Sequence, residues 1–329
     1  MNERGLVGHG IVPYLYLTPA ILVLGVFFFG SFLWVIMYSL GTLNVFEQSF
    51  TFTGFDNYVQ LFNDERFWMC LGNSFLYLLV TPALIAISLA CALAIDAQIR
   101  GANTFRLLFF LPVVTPTIVA AIGWRILFNE QSGLLTTLAQ PVVSVGDAAR
   151  IMHAAFVSEE WGLLGGNAHP AVAGVMATLH VEPLSTPRWL TERPWTLISP
   201  MVVTLWKGFG FYMMIFLAGL LAVPRELREA AALDGAGRWT SFLHVTLPSI
   251  WPTMTLVTIL SSISALKVFD EIFVTVRGVP VDHQTAVPFV YDAAFNQGSF
   301  GTACAAGVVL FVILLVFSII NLRLTRDRS

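Results

Sequence analysis

The sequence predicts an all-α, polytopic membrane protein with six transmembrane helices. Two observations carry this prediction: a composition poorly suited to water, and six apolar stretches of membrane-spanning length. Of the 329 residues, 57% are hydrophobic and only 11% are charged, and the mean hydropathy is +0.77. Since a soluble domain carries roughly 25% charged residues, much of this chain's surface is expected to face membrane lipid. The net charge of -3 gives no indication of nucleic-acid binding.

The six stretches each meet the length that a bilayer requires. A helix needs ~20 apolar residues to cross ~30 Å of hydrocarbon. The stretches cover about 14–40, 68–95, 107–128, 196–222, 248–270 and 299–322. The first is longer than the ~7–15-residue core of a cleavable signal, so it is predicted to remain as a transmembrane helix. The third contains Pro112 and Pro116, but neighbouring helices can satisfy the carbonyls that a proline frees, so the span is retained.

Arginines set the predicted orientation. Six crossings put both termini on the same side, and basic residues concentrate on the cytoplasmic side. With the termini inside, the inner segments hold nine arginines, whereas the short outer loops 41–67 and 271–298 hold two. The nine are Arg4, Arg100, Arg106, Arg225, Arg228, Arg238, Arg323, Arg326 and Arg328, and the two are Arg66 and Arg277. Both termini are therefore expected in the cytoplasm.

The outer loop at about 129–195 is predicted to be an extracytoplasmic insertion between the third and fourth helices. It is rich in proline and glycine, and apolar residues recur at helical spacing near 144–160, so it is expected to be partly helical. Its histidines and the cysteines of the chain show no metal-ligand spacing, so no metal site is predicted. These residues are His153, His169 and His180, and Cys70, Cys91 and Cys304.

The segment 223–247, between the fourth and fifth spans, predicts a helix, a break and a second helix on the inner membrane face. Pro224 suits the first turn of a helix, and Glu226 and Glu229 follow near the positive end of its dipole. Gly235 and Gly237 break the helix before a second one at about 238–246. The residues alone leave two interpretations open: a surface that docks into a groove on another protein, or an amphipathic linker on the lipid headgroups.

The same segment closely resembles the signature of binding-protein-dependent ABC importer permeases. That signature is Glu-Ala-Ala, three residues, Gly, nine residues, Ile, one residue, then Leu-Pro. Glu229-Ala230-Ala231, Gly235 and Leu247-Pro248 stand at those spacings, Val245 replaces the isoleucine, and Asp234-Gly235-Ala236 matches the usual Asp-Gly-Ala. Segments 206–220 and 266–280 look like carbohydrate-type permeases, although Val279 departs from a usual Gly-Gly-Pro. The likeness covers most of the chain but fails across about 136–187.

The resemblance implies a type I ABC importer permease fold of the MalF-like or UgpA-like carbohydrate-uptake type. It implies an N-terminal part at 1–67, a permease core at 68–322 and a cytoplasmic tail at 323–329. In this family the cytoplasmic loop forms a coupling helix that docks on an ATPase subunit. The implied ATPase-coupling residues are Glu229, Ala230, Ala231, Asp234, Gly235, Ala236, Leu247 and Pro248.

Three protein partners are implied as well, in the inner membrane of a prokaryote. They are a second related permease (MalG-like), a homodimeric ABC ATPase (MalK-like) and an extracytoplasmic solute-binding protein. The sequence has no Gly-x-x-x-x-Gly-Lys-[Ser/Thr] phosphate loop. ATP and Mg are therefore expected in the partner ATPase, and this chain is expected to be a non-catalytic subunit.

Ionisable residues inside the spans are candidates for the substrate path, because a charge buried in lipid is expensive. Lys207 lies about 12 residues into the fourth span, where it could line a sugar path or pair with a neighbouring subunit. The nearby aromatic residues could form a platform for sugars or could be ordinary packing residues: Trp206, Phe209, Phe211 and Tyr212. Lys267, Asp270 and Glu271 are expected near the outer end of the fifth span, as a gate or an interfacial charge cluster.

Other functions stay open on the sequence. An importer of the same class could carry a glycerophosphodiester, a polyamine or a peptide. A membrane-embedded glycosyltransferase would require a reactive carboxylate cluster, whereas five acidic residues of the long outer loop are dispersed: Asp147, Glu159, Glu160, Glu182 and Glu192. A secondary transporter usually has more spans and an internal repeat, and no repeat is visible here.

Overall fold

The structure, a computed structural model, describes residues 12–44, 49–97, 101–140 and 187–326. The helical segment predicted at 144–160, with His153, His169 and His180, lies outside these residues. The chain divides into two compact units: residues up to 72 together with those from 285, and Asn73–Gln284. Helices account for nearly all of the regular structure, as predicted.

The α-helices follow one another along the chain with few strands between them. They are α1 Val12–Val23, α2 Ser31–Ser39, α3 Asp56–Asn63, α4 Glu65–Tyr77, α5 Val80–Asp96, α6 Ala102–Val114, α7 Thr117–Leu127, α8 Trp195–Leu221, α9 Arg225–Leu233, α10 Arg238–Ser241, α11 Leu247–Ser249, α12 Trp251–Leu266, α13 Asp270–Thr275, α14 Ala286–Tyr291 and α15 Phe300–Arg326. Residues 134–140 are also helical. Wider π-turns occupy Leu24–Gly30, Phe242–Thr246 and Asp292–Asn296, a 3-10 turn occupies Val281–His283, and the strands are β1 Gly41–Asn44 and β2 Ser49–Phe52.

Membrane-length helices occur where the apolar stretches predict them. Within the described residues, four helices are long and apolar enough to cross a membrane: Tyr16–Ser39, Glu65–Asp96, Trp195–Leu221 and Phe300–Arg323. Two further pairs of helices, each joined at a bend, are long and apolar enough when the pair is taken as one span. The structure therefore has up to six spans within the described residues. The prediction of a polytopic helical membrane protein is confirmed.

The third predicted span is not one straight helix. α6 and α7 meet at an angle of 96°. Thr115 has extended backbone (φ -68°, ψ 128°) immediately before Pro116, because the proline ring clashes with a helical residue in front of it. Pro112 lies within α6 and does not end that helix. The two prolines predicted to be tolerated therefore behave differently.

The fifth predicted span is also bent, and it ends early. Helical residues 238–249 meet Trp251–Leu266 at 67°, with Ile250 between them outside helical geometry (φ -94°, ψ 8°). The helix ends at Leu266 rather than at the predicted 270. Phe269 leaves the helical region (φ -134°, ψ -62°), so α13 is a separate short helix.

In the first unit, α15 packs along α2, where the ring centroids of Phe32 and Phe311 lie 4.5 Å apart. The buried amide of Asn57 donates hydrogen bonds to the carbonyl oxygens of Ser39 (3.0 Å) and Gly41 (2.9 Å). These bonds fix the start of an antiparallel hairpin formed by β1 and β2. The hairpin lies in the predicted outer loop 41–67 and is a small addition to the predicted all-α fold.

In the second unit, α5 packs against α8, and short polar side chains bond across the helices. Tyr77 and Thr204 share a hydrogen bond of 2.7 Å between their hydroxyls, and Ser88 Oγ donates to the Phe209 carbonyl at 2.9 Å. Such interhelical bonds help membrane helices to associate, because lipid provides no hydrophobic driving force between them. The buried core of this unit includes Leu84, Ala92, Ile95, Met213, Phe216, Leu220 and Val257.

The two described ends of the long outer loop are bonded to each other. The Glu130 carboxylate accepts hydrogen bonds from the Leu190 N–H (3.2 Å) and the Thr191 hydroxyl (2.8 Å). Trp189 Nε1 also donates to Thr136 Oγ1 at 3.1 Å. The chain therefore leaves for residues 141–186 and returns at one place, which fits the prediction of an insertion between α7 and α8.

Gly210 allows α8 to approach α6 closely. A Cβ atom at this position would overlap the Phe109 carbonyl, which is backbone and cannot move aside. We expect Gly210→Ala to destabilise the folded protein by ~1–3 kcal/mol, the usual cost of overpacking. A lower midpoint of thermal unfolding in detergent would measure this loss. Gly123→Ala in α7 is the matched control, since nothing lies within 4 Å of its Cβ position. Equal midpoints for the two variants would contradict the close approach.

Candidate functional site

The loop between α8 and α12 has the predicted helix, break and second helix. α9 begins directly after Pro224, whose backbone is extended (φ -56°, ψ 135°). It ends at Leu233, and Gly235 and Gly237 separate it from α10. α10 continues through the π-turn Phe242–Thr246, so the second helical segment covers the predicted 238–246.

Gly235 ends α9 through a Schellman motif. Its backbone is left-handed (φ +80°), a conformation that costs little only for glycine. The Ala236 N–H bonds the Ala231 carbonyl at 2.9 Å, and the Gly235 N–H bonds the Ala232 carbonyl at 3.1 Å. This turn explains why the signature glycine follows the alanines at a fixed distance. The N–H groups of the turn bond the carbonyl groups of Ala231 and Ala232.

α9 presents an outer face of exposed residues. Of its nine residues, all but Arg228 and Ala231 are exposed. Glu226, Glu229, Ala230 and Leu233 recur at the i, i+3, i+4, i+7 spacing that places residues on one face. Leu233 is 88% exposed, and Trp239 in the following helix is 71% exposed. A surface of acidic, small and large apolar side chains is thus available to another molecule.

The structure separates the predicted coupling residues by exposure. Glu229, Ala230, Asp234, Gly235 and Pro248 are exposed, whereas Ala236 and Leu247 are half-buried. Ala231 alone among them is buried, on the inner side of α9. It lies where it can support the helix from within the chain, and the other positions lie nearer the surface.

Arg228 and Asp96 form an ion pair that sequence reasoning missed. Arg228 Nη1 donates to Asp96 Oδ2 at 2.7 Å, and Arg228 Nη2 donates to the Leu220 carbonyl at 2.9 Å. The paired residues are 132 positions apart, and no local spacing connects them. Next to the pair is a cavity of about 370 Å³, which Arg106 and Glu229 also line.

The aromatic residues near Lys207 each contact a different part of the chain. Trp206 meets Trp124 edge to face at 5.8 Å, and Phe209 meets Phe109 at 5.6 Å. The remaining two, Phe211 and Tyr212, meet each other at 5.3 Å, with Tyr212 buried and Phe211 partly exposed. They do not form one platform within the described residues, and two of them act as packing partners for α6 and α7.

The ionisable residues around Lys207 differ in their exposure. Burial raises the pKa of Glu271, and the Lys207 ammonium acts in the opposite direction. Lys207 is half-buried, whereas Lys267 and Asp270 are exposed. Glu271, in the outer charge cluster with Lys267 and Asp270, is half-buried.

These features define a multi-pass helical membrane protein with a bent helical loop whose outer face is exposed. The comparison with known families makes the class specific. Residues 85–329 match the family of binding-protein-dependent transport system inner membrane components. The chain belongs to this family and is a permease subunit of a binding-protein-dependent ABC importer.

Two curated relatives match this chain along nearly their full lengths. A probable ABC transporter permease, YurN of Bacillus subtilis, is 28% identical over 95% of this chain and 95% of its own. The trehalose/maltose permease MalF of Thermococcus litoralis is 27% identical over 96% and 94%. A crystal structure of a bacterial ABC transporter that imports the acidic polysaccharide alginate has the same fold: TM-score 0.72, 19% identity, 96% of this chain and 95% of that one.

The Schellman turn gives a test of the loop's local structure. Gly235→Ala would force a side chain into left-handed backbone at a cost of roughly 1–2 kcal/mol. We expect the amides of residues 235 and 236 to exchange with deuterium up to ~10-fold faster, since 1.4 kcal/mol is a factor of ten. Gly237→Ala is the control, because its φ is -67° and its Cβ would meet nothing within 4 Å. Unchanged exchange in the Gly235 variant would argue against this turn.

Proposed function

We propose that this permease passes a sugar or oligosaccharide, delivered by an extracytoplasmic binding protein, into the cytoplasm. The exposed outer face of α9, on a loop with the family's spacing, is the observation that carries the proposed mechanism. The sugar preference is supported by relatives named for saccharides, including the alpha-glucoside permease AglF of Rhizobium meliloti and the lactose permease LacF of Rhizobium radiobacter, which are 28% and 26% identical to this chain.

The outer face of α9 docks on a separate ATPase subunit. Glu229 anchors the contact electrostatically, while Ala230 and the turn at Gly235 allow close approach of the two backbones. Leu233 and Trp239 add apolar area that becomes buried on docking, with a gain of ~25 cal/mol per Å² removed from water. Ala231 contributes from the inner side, because it is buried in its own chain.

The complete importer contains four kinds of component. A homodimeric, MalK-like ATPase binds ATP and Mg and performs the hydrolysis, so this chain supplies no catalytic residue. A second, MalG-like permease completes the membrane pathway, and a binding protein docks outside. The resemblance of the signature loop supports this assembly, since a docking loop needs a partner to dock on.

The loop and both termini face the cytoplasm of a prokaryote, and the insertion at 129–195 faces outward. The asymmetry of arginines between the predicted inner and outer segments supports this orientation. With it, the N-terminal part at 1–67 provides the first span and first outer loop, 68–322 is the permease core, and 323–329 is a cytoplasmic tail.

Lys207 is the substrate-path residue with the clearest chemical role. An ammonium group donates hydrogen bonds to sugar hydroxyls, and charged side chains within membrane helices usually face the bundle interior or a water-filled path. Trp206 and Phe209 contribute indirectly, because their ring contacts position α8. Phe211 and Tyr212, with Lys267 and Asp270, are further candidates for the path.

The docking proposal is tested by Glu229→Lys. A tagged wild-type chain extracted from membranes should recover an ATPase and a second permease. We expect the variant to recover at least ~10-fold less ATPase than the wild type, because losing a charged hydrogen bond costs about 1.5–3 kcal/mol. Solute uptake should be abolished at equal expression. Glu65→Lys is the matched control, as an exposed glutamate at the start of α4. Normal uptake by the Glu229 variant would refute the coupling role.

The role of Lys207 is tested in the same assembly. We expect Lys207→Met to lower uptake of the transported saccharide by ~10-fold, because one hydrogen bond from a charged donor is lost. The ATPase should still co-purify with this variant, and Lys207→Arg should retain more uptake because it keeps a cationic donor. Uptake of a panel of labelled saccharides by whole cells measures the effect. Equal uptake by Lys207→Met and the wild type would exclude Lys207 from the path.

A further inference from the structure

The inner side of α9 has a chemistry different from its outer face. Arg228 and Ala231 are its only two residues that are not exposed, and they are three positions apart. Residues three apart on a helix are neighbours on the same face. Arg228 therefore points toward its own chain, whereas the adjacent Glu229 is exposed. One turn of helix thus has a side for a partner and a side for the membrane helices.

Arg228 connects the ends of two membrane helices. Asp96 is the last residue of α5, and Leu220 lies in the last turn of α8. The guanidinium is planar and presents several N–H donors in a fixed fork, so it can hold two acceptors in a defined geometry. A cation is also favoured at a helix C-terminus, where the last carbonyl groups carry partial negative charge.

The ion pair is shielded more than an ordinary surface pair. The side chains of Arg228 and Asp96 are 32% and 15% exposed. The pair between Arg188 and Glu192 in the outer loop is 61% and 53% exposed, at a similar distance of 2.8 Å. Exposed pairs contribute little because water screens them, whereas removing one partner of a shielded pair leaves the other charge uncompensated.

We propose that Arg228 is a positioning residue that transmits displacement of α9 to α5 and α8 together. This inference rests on the proposed docking of α9 on an ATPase. At its N-terminal end the backbone joins α9 to α8, through residues 222–224, and Arg228 adds a side-chain connection to α5. Ile95 and Leu220 are buried in one core between these helices, so α5 and α8 move as a packed pair. Because α8 also carries Lys207, a displacement of α8 reaches the proposed substrate path.

The experiment uses the complete importer, with ATPase and binding protein, reconstituted in liposomes. Arg228→Gln and Asp96→Asn are compared with the wild type for solute transported per ATP hydrolysed. Both variants should lower this ratio at least ~5-fold, the lower end of typical coupling between sites. The ATPase should remain in the complex. Asp96→Asn is nearly isosteric, so it retains a test if the Arg228→Gln chain fails to fold.

Further variants separate transmission from general damage. The double variant should be no worse than either single one, because both remove the same interaction. Arg228→Lys should give an intermediate ratio, since one ammonium can keep the charge pair but not the planar fork. Arg188→Gln is the control: it makes the same chemical change, removes an exposed ion pair, and should leave the ratio unchanged.

Three results would overturn the proposal. A wild-type ratio in Arg228→Gln or Asp96→Asn would show that the pair transmits nothing. Multiplying effects in the double variant would show that the two residues act independently. Loss of the ATPase from the Arg228→Gln complex would assign Arg228 to docking instead. Failure of the underlying function is distinct, since the wild-type chain itself would then recover no ATPase.

Discussion

Every backbone N–H and C=O group at membrane depth must be bonded within the protein, and this constraint governs the structure. Lipid offers no partners, so the chain crosses as helices. At both bends the bonding resumes within one turn: the Ala120 N–H bonds the Pro116 carbonyl at 3.0 Å, and the Met254 N–H bonds the Ile250 carbonyl at 2.9 Å. The bends are therefore changes of direction that leave few backbone groups unsatisfied, which is how a membrane helix can be broken at a tolerable cost.

The same need to bond every backbone group explains how α9 ends in the signature loop. α9 has to stop within a few residues and return the chain to the membrane, and its last carbonyl groups need donors. Gly235 solves both problems, since its left-handed backbone turns the chain and the amides of Gly235 and Ala236 bond the carbonyls. A glycine at this distance from the Glu-Ala-Ala triplet is thus a requirement of the helix end. The exposed face that a partner could use is a consequence of that geometry.

The sequence predicted the spans well because their signal is local and cumulative. About 20 apolar residues in a row suffice for a crossing, whatever the neighbours are. The bends were harder, because Pro112 and Pro116 look alike in the sequence and only Pro116 changes the direction of the chain. Local end signals also predicted both helices of the loop, since Pro224 marks the start of the first and Gly235 and Gly237 mark the break between them.

Interactions between distant residues could not be predicted in this way. Arg228 and Asp96 each look like an ordinary charge near a helix end, and nothing in the sequence pairs them across 132 positions. The aromatic residues around Lys207 are close in sequence, but three helices divide them among different contacts. If Arg228 transmits displacement from α9 to α5 and α8, linkage requires the reverse as well: whatever shifts α8 also shifts the equilibrium of α9. Substrate contact near Lys207 would then change how readily α9 takes the position that a docked ATPase favours, so one guanidinium would serve for both directions of communication.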